Sequence, residues 1–294
     1  FHIFKKIFII KLILIIKGFQ NLFLLSFSCL VISCVNHDNI IYRSKNINPK
    51  LYDIPYESGK WEEPDYKEKF IFNGNHRAVV ELDILSEDIH QVIIPWRRRD
   101  DLPHQKDIII VDAKTNKEIN EKYFIEINNS YGHILFKPNN SSIKYFFYFL
   151  PHKSTGGYYP KLEYLTPKIN TNREWFNNVK DRIDDLSSVK KAKVLRFESL
   201  NDFHSFFPME IISSEDELDL YLKTNNKKVH LFPEYRNYPI RMMDFLPVRW
   251  TKEEKKVNAL IDEVSKGEYY TFQVGLYSPS HDIEDIEITF NDLI

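Results

Sequence analysis

Between residues 70 and 150 the sequence divides into seven short apolar runs, each closed by turn-forming residues. The runs are Phe70–Phe72, Arg77–Leu85, Val92–Trp96, Asp107–Asp112, Lys122–Ile127, His133–Lys137 and Lys144–Leu150. Asn73-Gly74-Asn75, Asn128-Asn129-Ser130, Tyr131-Gly132 and Pro138-Asn139-Asn140 interrupt them. Runs of this length at this spacing predict antiparallel strands packed as a sandwich, and the Asn-Gly pair after Phe72 predicts a hairpin turn. Alternation at Val80, Leu82 and Ile84, and again at Tyr145, Phe147 and Phe149, assigns one face of each strand to a core. The 22 Phe and 17 Tyr against only 8 Gly lean the same way, because rings fit a pleated, half-buried surface. An aromatic surplus also suits stacking on sugars, with core filling as the ordinary reading.

The flanking sequence has other signals. Residues 35–65 are polar and Asn-rich, with Pro49, Pro55 and Pro64, and read as a linker that orders only where it docks. The sandwich domain is assigned to 66–168. Residues 169–225 read as a helical connecting segment: Thr171 with Glu174 forms a capping box, and Trp175, Val179, Ile183 and Leu186 make one apolar stripe. Val194–Phe197 could be a strand within it. Ser214 with Glu217 opens a second helix carrying Leu218, Tyr221 and Leu222. A third helix is expected from Thr251 through Val257, Leu260, Ile261 and Val264 to a stop at Gly267. Strands at Tyr269–Tyr277 and Ile283–Phe290 follow, so 226–294 reads as the start of a second, incomplete β-sandwich. The expected class is mainly β: an antiparallel β-sandwich plus a helical segment and an incomplete second β-sandwich. No internal repeat has a fixed period.

Residues 1–34 read as a lipoprotein signal peptide. Lys5, Lys6, Lys11 and Lys17 precede Gly18–Ser33, a 16-residue stretch without charge. That is the length of a signal-peptide core and short for a membrane span of about 20 residues. It ends Val31-Ile32-Ser33-Cys34, which resembles a bacterial lipobox, with Cys34 as the expected lipid-attachment residue. A plain signal peptide or uncleaved anchor is the other reading. Several acyl chains hold a protein at a membrane far more firmly than one, so the expected location is the cell envelope, lipid-anchored to a bacterial membrane. Cys29 and Cys34 are the only cysteines, which excludes disulfides and cysteine nucleophiles after Cys34. Outside the leader 36 basic side chains face 42 acidic ones, a net charge of −6 that offers nucleic acid no broad basic surface. A start at Phe1 rather than Met, and an end at Ile294 inside an expected strand pair, are read as marks of a fragment.

Two charged strings are candidate contact sites. In Pro95-Trp96-Arg97-Arg98-Arg99-Asp100-Asp101, a strand would turn Trp96 and Arg98 one way and Arg97 and Arg99 the other. Guanidinium forks grip carboxylates and polyols, so sugar contact is one reading, and pairing with Asp100, Asp101 or another module at a domain seam is the ordinary one. Glu234, Arg236 and Arg241 form the second cluster, read first as a structural ion-pair network. The adjacent acids Asp184-Asp185, Asp216-Glu217, Glu253-Glu254 and Asp262-Glu263 fall in or at the start of expected helices and read as solvated charge, so no catalytic residue is assigned. The ten histidines show no His-x-His or His-x-x-x-His spacing, and no phosphate loop or nucleophile elbow is present. No metal and no cofactor is expected.

Several strings taken in order carry a resemblance. They are Gly74–Val80, Ile94–Asp100, Ile110–Lys117, Gly132–Phe136, Phe232–Met242 and Gly267–Gly275. Over about residues 66–294 the chain resembles the N-terminal region of proteins related to glycoside hydrolase family 123. The resemblance implies a parent with β-sandwich material ahead of a (β/α)8 barrel, and a retaining β-N-acetylgalactosaminidase activity assisted by the substrate's acetamido group. The family's Asp–Glu pair belongs to the barrel, and no position here matches it. The first expectation is therefore a non-catalytic N-terminal region that packs against the barrel and meets carbohydrate through the parent enzyme. The alternative is a self-contained lipid-anchored glycan-binding protein, with an exposed aromatic platform using Trp96, Tyr158 or Tyr159.

Overall fold

The computed structural model describes residues 7–15, 54–168 apart from 60 and 66, 173–183, 185–252, and 262–287 apart from 266 and 281. The leader core, Cys34, the Thr171 half of the first expected capping box and the middle of the third expected helix lie outside the described residues. The chain divides into two compact units, one of residues 49–207 and one of 208–294 with 1–48.

In chain order the strands are β1 (Ile7–Ile15), β2 (Tyr56–Ser58), β3 (Phe70–Phe72), β4 (His76–Glu81), β5 (His90–Ile94), β6 (Ile108–Asp112), β7 (Glu118–Ile119) and β8 (Lys122–Ile127). Next come β9 (Gly132–Phe136), β10 (Lys144–Phe149), β11 (His152–Ser154), β12 (Leu162–Tyr164), helix α1 (Arg173–Ile183), β13 (Lys190–Lys191) and β14 (Lys193–Ser199). Helix α2 (Glu215–Thr224), β15 (His230–Tyr235), helix α3 (Val248–Lys252) and β16 (Tyr269–Tyr277) complete the described strands and α-helices. The protein is mainly β, as its turn-bounded runs predict, and all seven runs form strands.

In the 49–207 unit a six-stranded sheet runs β2-β14-β4-β10-β6-β7, and a four-stranded sheet runs β13-β5-β9-β8. Tyr145, Phe147 and Phe149 of β10 are buried on the face toward the four-stranded sheet, where Phe136 meets the Phe147 ring edge-on at 5.1 Å. The other face of the six-stranded sheet is buried too. Ile109, Val111 and Tyr148 form a second cluster, covered by Trp61, Phe146 and Leu165. That double burial explains the unbroken apolar run Ile108–Val111, which alternation alone would not predict. The segment leading to Trp61 is docked there: β2 pairs in parallel with β14, and the Tyr56 hydroxyl lies 2.7 Å from Ser199 Oγ. Helix α1 lays Trp175, Val179 and Ile183 of the predicted stripe on the outer face of the four-stranded sheet, against Ile89, Leu135 and Val189, and Leu186 joins them from the 3-10 turn that follows.

Several expectations are corrected. Gly74 adopts φ 119°, as a turn glycine should, but β3 pairs with β11 while β4 pairs with β10 and β14. The turn therefore passes the chain from one sheet to another and closes no hairpin. The strand from His76 stops at Glu81, which leaves Ile84 62% exposed instead of in the core.

In the second unit the sheet runs β1-β16-β15. β15 takes the edge, the position that tolerates a proline such as Pro233 within a strand. Helix α2 has the predicted capping box: Ser214 Oγ accepts from the Glu217 N–H, and the Glu217 carboxylate accepts from the Ser214 N–H. The third expected helix begins earlier than Thr251 and does not extend to Gly267. Residues 248–252 are helical and 262–265 are not. Residues 282–287 form no strand, so the described partners of β16 are β15 and β1, in place of the expected Ile283–Phe290.

Candidate functional site

Past β5 the backbone leaves the sheet, and the expected alternation fails at Arg97, whose φ is 48°. Trp96, Arg97 and Arg98 are all buried, and Arg99 is exposed. The segment is laced to the 128–130 turn: the Arg97 and Arg98 N–H groups donate to the Ser130 and Asn129 carbonyls, and Trp96 Nε1 donates to Asn128 O at 2.8 Å. Trp96 is therefore a core residue, packed 5.7 Å from the Phe149 ring and unavailable as a sugar platform. Arg98 grips Asp100 through both fork nitrogens, at 2.5 and 2.8 Å, and Lys106 closes on the same carboxylate at 2.7 Å. Burial pushes the Asp100 carboxyl up, but Arg98 and Lys106 outweigh it and hold it below the usual range. Arg98 and Asp100 thus pair within a single turn, and Asn129 Nδ2 ties its backbone by donating to the Arg98 and Asp100 carbonyls.

The second candidate string separates. Glu234, on β15, is fully buried and accepts from Arg249 Nε at 3.0 Å and from Trp250 Nε1 at 2.8 Å. Trp250 stacks flat on Phe232 at 4.3 Å, and the Arg249 guanidinium lies 3.8 Å from the centre of the Tyr238 ring. Arg236 and Arg241 are exposed and reach elsewhere, to Glu268 and to Glu210. Each of the three is ion-paired, but with a separate partner that the local sequence did not supply, and these pairs do not join the three into the expected common network. Arg249 and Trp250 carried no sequence signal, because they lie 15 and 16 residues from Glu234 across an irregular connection.

Arg77 is a further charged centre that the pattern of β4 conceals. Its guanidinium sits 4.4 Å from the Trp61 ring centre and 3.7 Å from that of Phe146. It also donates to Glu198 at 2.6 Å and to the Tyr148 hydroxyl at 2.5 Å. These contacts, like those of Arg98 and Glu234, hold elements together.

The expected aromatic platform survives only at Tyr158 and Tyr159. They are 89% and 86% exposed, with ring centres 4.7 Å apart and planes at 86°. They stand on the loop between β11 and β12.

The carboxyls of Asp88, Asp100, Asp112, Glu126 and Glu268 are all held below their ordinary values. For Asp88 the cause is the hydrogen bond and charge of Lys190, and for Glu126 the hydrogen bonds from Tyr131 and Asn128. At Asp112 burial pushes upward but is outweighed by donors from Ser141, Thr115 and Lys114. Among the described residues no three His, Cys, Asp or Glu side chains are disposed to hold a metal ion, and no helix is long and apolar enough to cross a membrane.

Residues 68–200 match the family model of the glycoside hydrolase 123 N-terminal domain. The match lies wholly inside the 49–207 unit. No curated protein and no solved structure matches the chain.

Proposed function

We propose that this chain is the non-catalytic N-terminal β-sandwich region of an exported, lipid-anchored glycosidase, and that it buttresses the catalytic barrel of its parent. The observation that carries the reading is the coincidence of the family match with one compact unit of packed sheets. Two features support it. A glycosidase acid has its pKa raised so that it stays protonated near neutral pH, whereas Asp88, Asp100, Asp112, Glu126 and Glu268 are lowered by hydrogen bonds and ion pairs. The arginine clusters of the half-buried Arg77 and the buried Arg98 and Arg249 are engaged with acids of their own unit and act as braces. The parent acts on carbohydrate, with a hexosaminide as the substrate class the resemblance implies, and Cys34 holds the protein at the cell envelope through its lipid.

Purified chain incubated with an aryl N-acetyl-β-galactosaminide is expected to release no aryl alcohol. Release that disappears when one of the chain's own acids is replaced would falsify the accessory role. The anchor is read separately. Expressed in a bacterial host, the chain is expected in the membrane fraction with a diacylglyceryl mass on Cys34, and Cys34→Ser is expected in the soluble fraction. Unchanged membrane retention of that variant rules the anchor out.

A further inference from the structure

We propose that Tyr158 and Tyr159 form a stacking corner for a single neutral hexopyranose unit, giving this region a sugar-binding site of its own. The choice of a sugar rests on the family match of residues 68–200, while the geometry stands by itself.

The loop is built to hold the two rings in place. β11 and β12 pair from His152 to Ser154 and from Leu162 to Tyr164, so the loop leaves a two-stranded rung on both sides. Thr155 N–H donates to Lys161 O at 3.1 Å, and Lys161 N–H returns a bond to Thr155 Oγ1 at 3.0 Å, closing the loop at its base. Gly156 N–H donates to Ser154 Oγ, and Gly157 N–H donates to Lys67 O at 2.9 Å. Gly156 and Gly157 both have positive φ, at 69° and 97°, and a Cβ at Gly156 would fall 2.6 Å from the Glu68 carbonyl carbon. Two glycines thus let the loop lie flat on the 67–69 backbone and fix the direction in which the following tyrosines project. Pro160 then limits the chain beyond them.

Two large rings held in solvent on a pinned loop forgo the burial that aromatic side chains ordinarily gain. Their right-angled arrangement selects the ligand. A flat polysaccharide surface needs coplanar rings, whereas one ring face with a second ring standing beside it accommodates one pyranose. The C–H face of the sugar lies on one ring, and its edge meets the other. The phenolic hydroxyls are donors and acceptors matched to sugar hydroxyls. Lys161 is the one charged side chain between Ser154 and Leu162, so the loop offers few charge contacts and recognition rests on stacking, which a neutral sugar satisfies.

The test is saturation-transfer NMR on the full chain with two probes, methyl N-acetyl-β-galactosaminide and methyl β-galactoside. Transfer is expected from the tyrosine rings to C–H protons on one sugar face, with affinity in the millimolar range. Tyr158→Ala and Tyr159→Ala are each expected to weaken binding about tenfold, the size of one lost ring contact, while Tyr159→Phe stays within about threefold. Both rings are exposed, so thermal unfolding of the alanine variants is expected to match the parent. Gly156→Ala leaves both rings present but forces the loop off the 67–69 backbone, and is expected to weaken binding comparably. Absence of transfer to either probe overturns the proposal, as does unchanged affinity in both alanine variants. Neither result touches the accessory role, which is read from hydrolysis.

Discussion

Gly132 lies directly beneath the indole of Trp96. A Cβ on Gly132 would come 2.6 Å from Cζ2 of that ring and nearer still to Cη2. Trp96 cannot yield, because it is 1% exposed, hydrogen-bonded through Nε1 to Asn128 O and packed on Phe149. The glycine at the start of β9 is therefore set by close approach and not by a turn.

Gly132→Ala is expected to destabilise the 49–207 unit by about 1–3 kcal/mol, the usual cost of overpacking a filled core. Urea unfolding followed by tryptophan fluorescence measures it. A midpoint equal to the parent's would mean that the indole has room to move. Gly157→Ala serves as the control for a glycine with nothing within 4 Å, where only its positive φ resists the change.

Glu234→Gln probes the other unit. The amide can still accept from Trp250, but it removes the charge that faces Arg249 at 3.0 Å in a site where both side chains are at most 2% exposed. Breaking one half of a buried pair costs about 3–5 kcal/mol, because the remaining charge stays in a low-dielectric site. Chemical denaturation of the variant is expected to show that loss. A near-neutral result would indicate that Arg249 finds water or another acceptor.

The sequence announced its strands because turn residues bounded them, and it announced α1 because Trp175, Val179, Ile183 and Leu186 recur at helical spacing. It could not announce where those strands lie. Nothing in Trp96-Arg97-Arg98-Arg99 marks Arg97 as a left-handed residue, so a local alternation was extended one residue too far. Double burial of Ile108–Val111 depends on Trp61 and Leu165, which lie some fifty residues away on either side. The partners of Glu234 and Arg77 were equally hidden, since pairing between elements distant in sequence leaves no local pattern. The exposed tyrosines were legible as candidates, but the glycine contacts that pin their loop were not.

Ser214→Ala removes the reciprocal cap of α2. The hydroxyl accepts from Glu217 N–H at 3.2 Å, and its loss is expected to cost about 1 kcal/mol. The effect is local, so amide hydrogen exchange at 215–219 is the sensitive readout and is expected to quicken. Glu217→Gln keeps a side-chain acceptor for the Ser214 N–H but loses the ion pair with Lys252 at 2.9 Å, which is half exposed and contributes little. Equal protection in the Ser214→Ala variant and the parent would show that packing of Tyr221, and not the cap, sets where the helix begins.

His76 gives the protein a pH dependence of definite sign. Its ring is stacked on Phe149 and lies 4.5 Å from Phe206, and Nε2–H donates to His204 O at 2.9 Å. Burial lowers its pKa from 6.5 to about 4. The backbone acceptor opposes that shift, and the neighbouring His204 ring reinforces it. An unfolded chain therefore binds a proton at His76 more readily than the folded one, so stability is complete above about pH 6.5 and declines as pH falls toward 4. The contribution is at most about 3 kcal/mol, the free energy of a shift of that size. His90 and His133, also lowered first by burial, add to the same slope. His76→Gln keeps a donor without titrating in this range. It is expected to be less stable at pH 8 yet to lose less stability between 6.5 and 4. Carbon-bound ring protons of His76 that titrate near 6.5 in the folded protein would remove the basis for this slope.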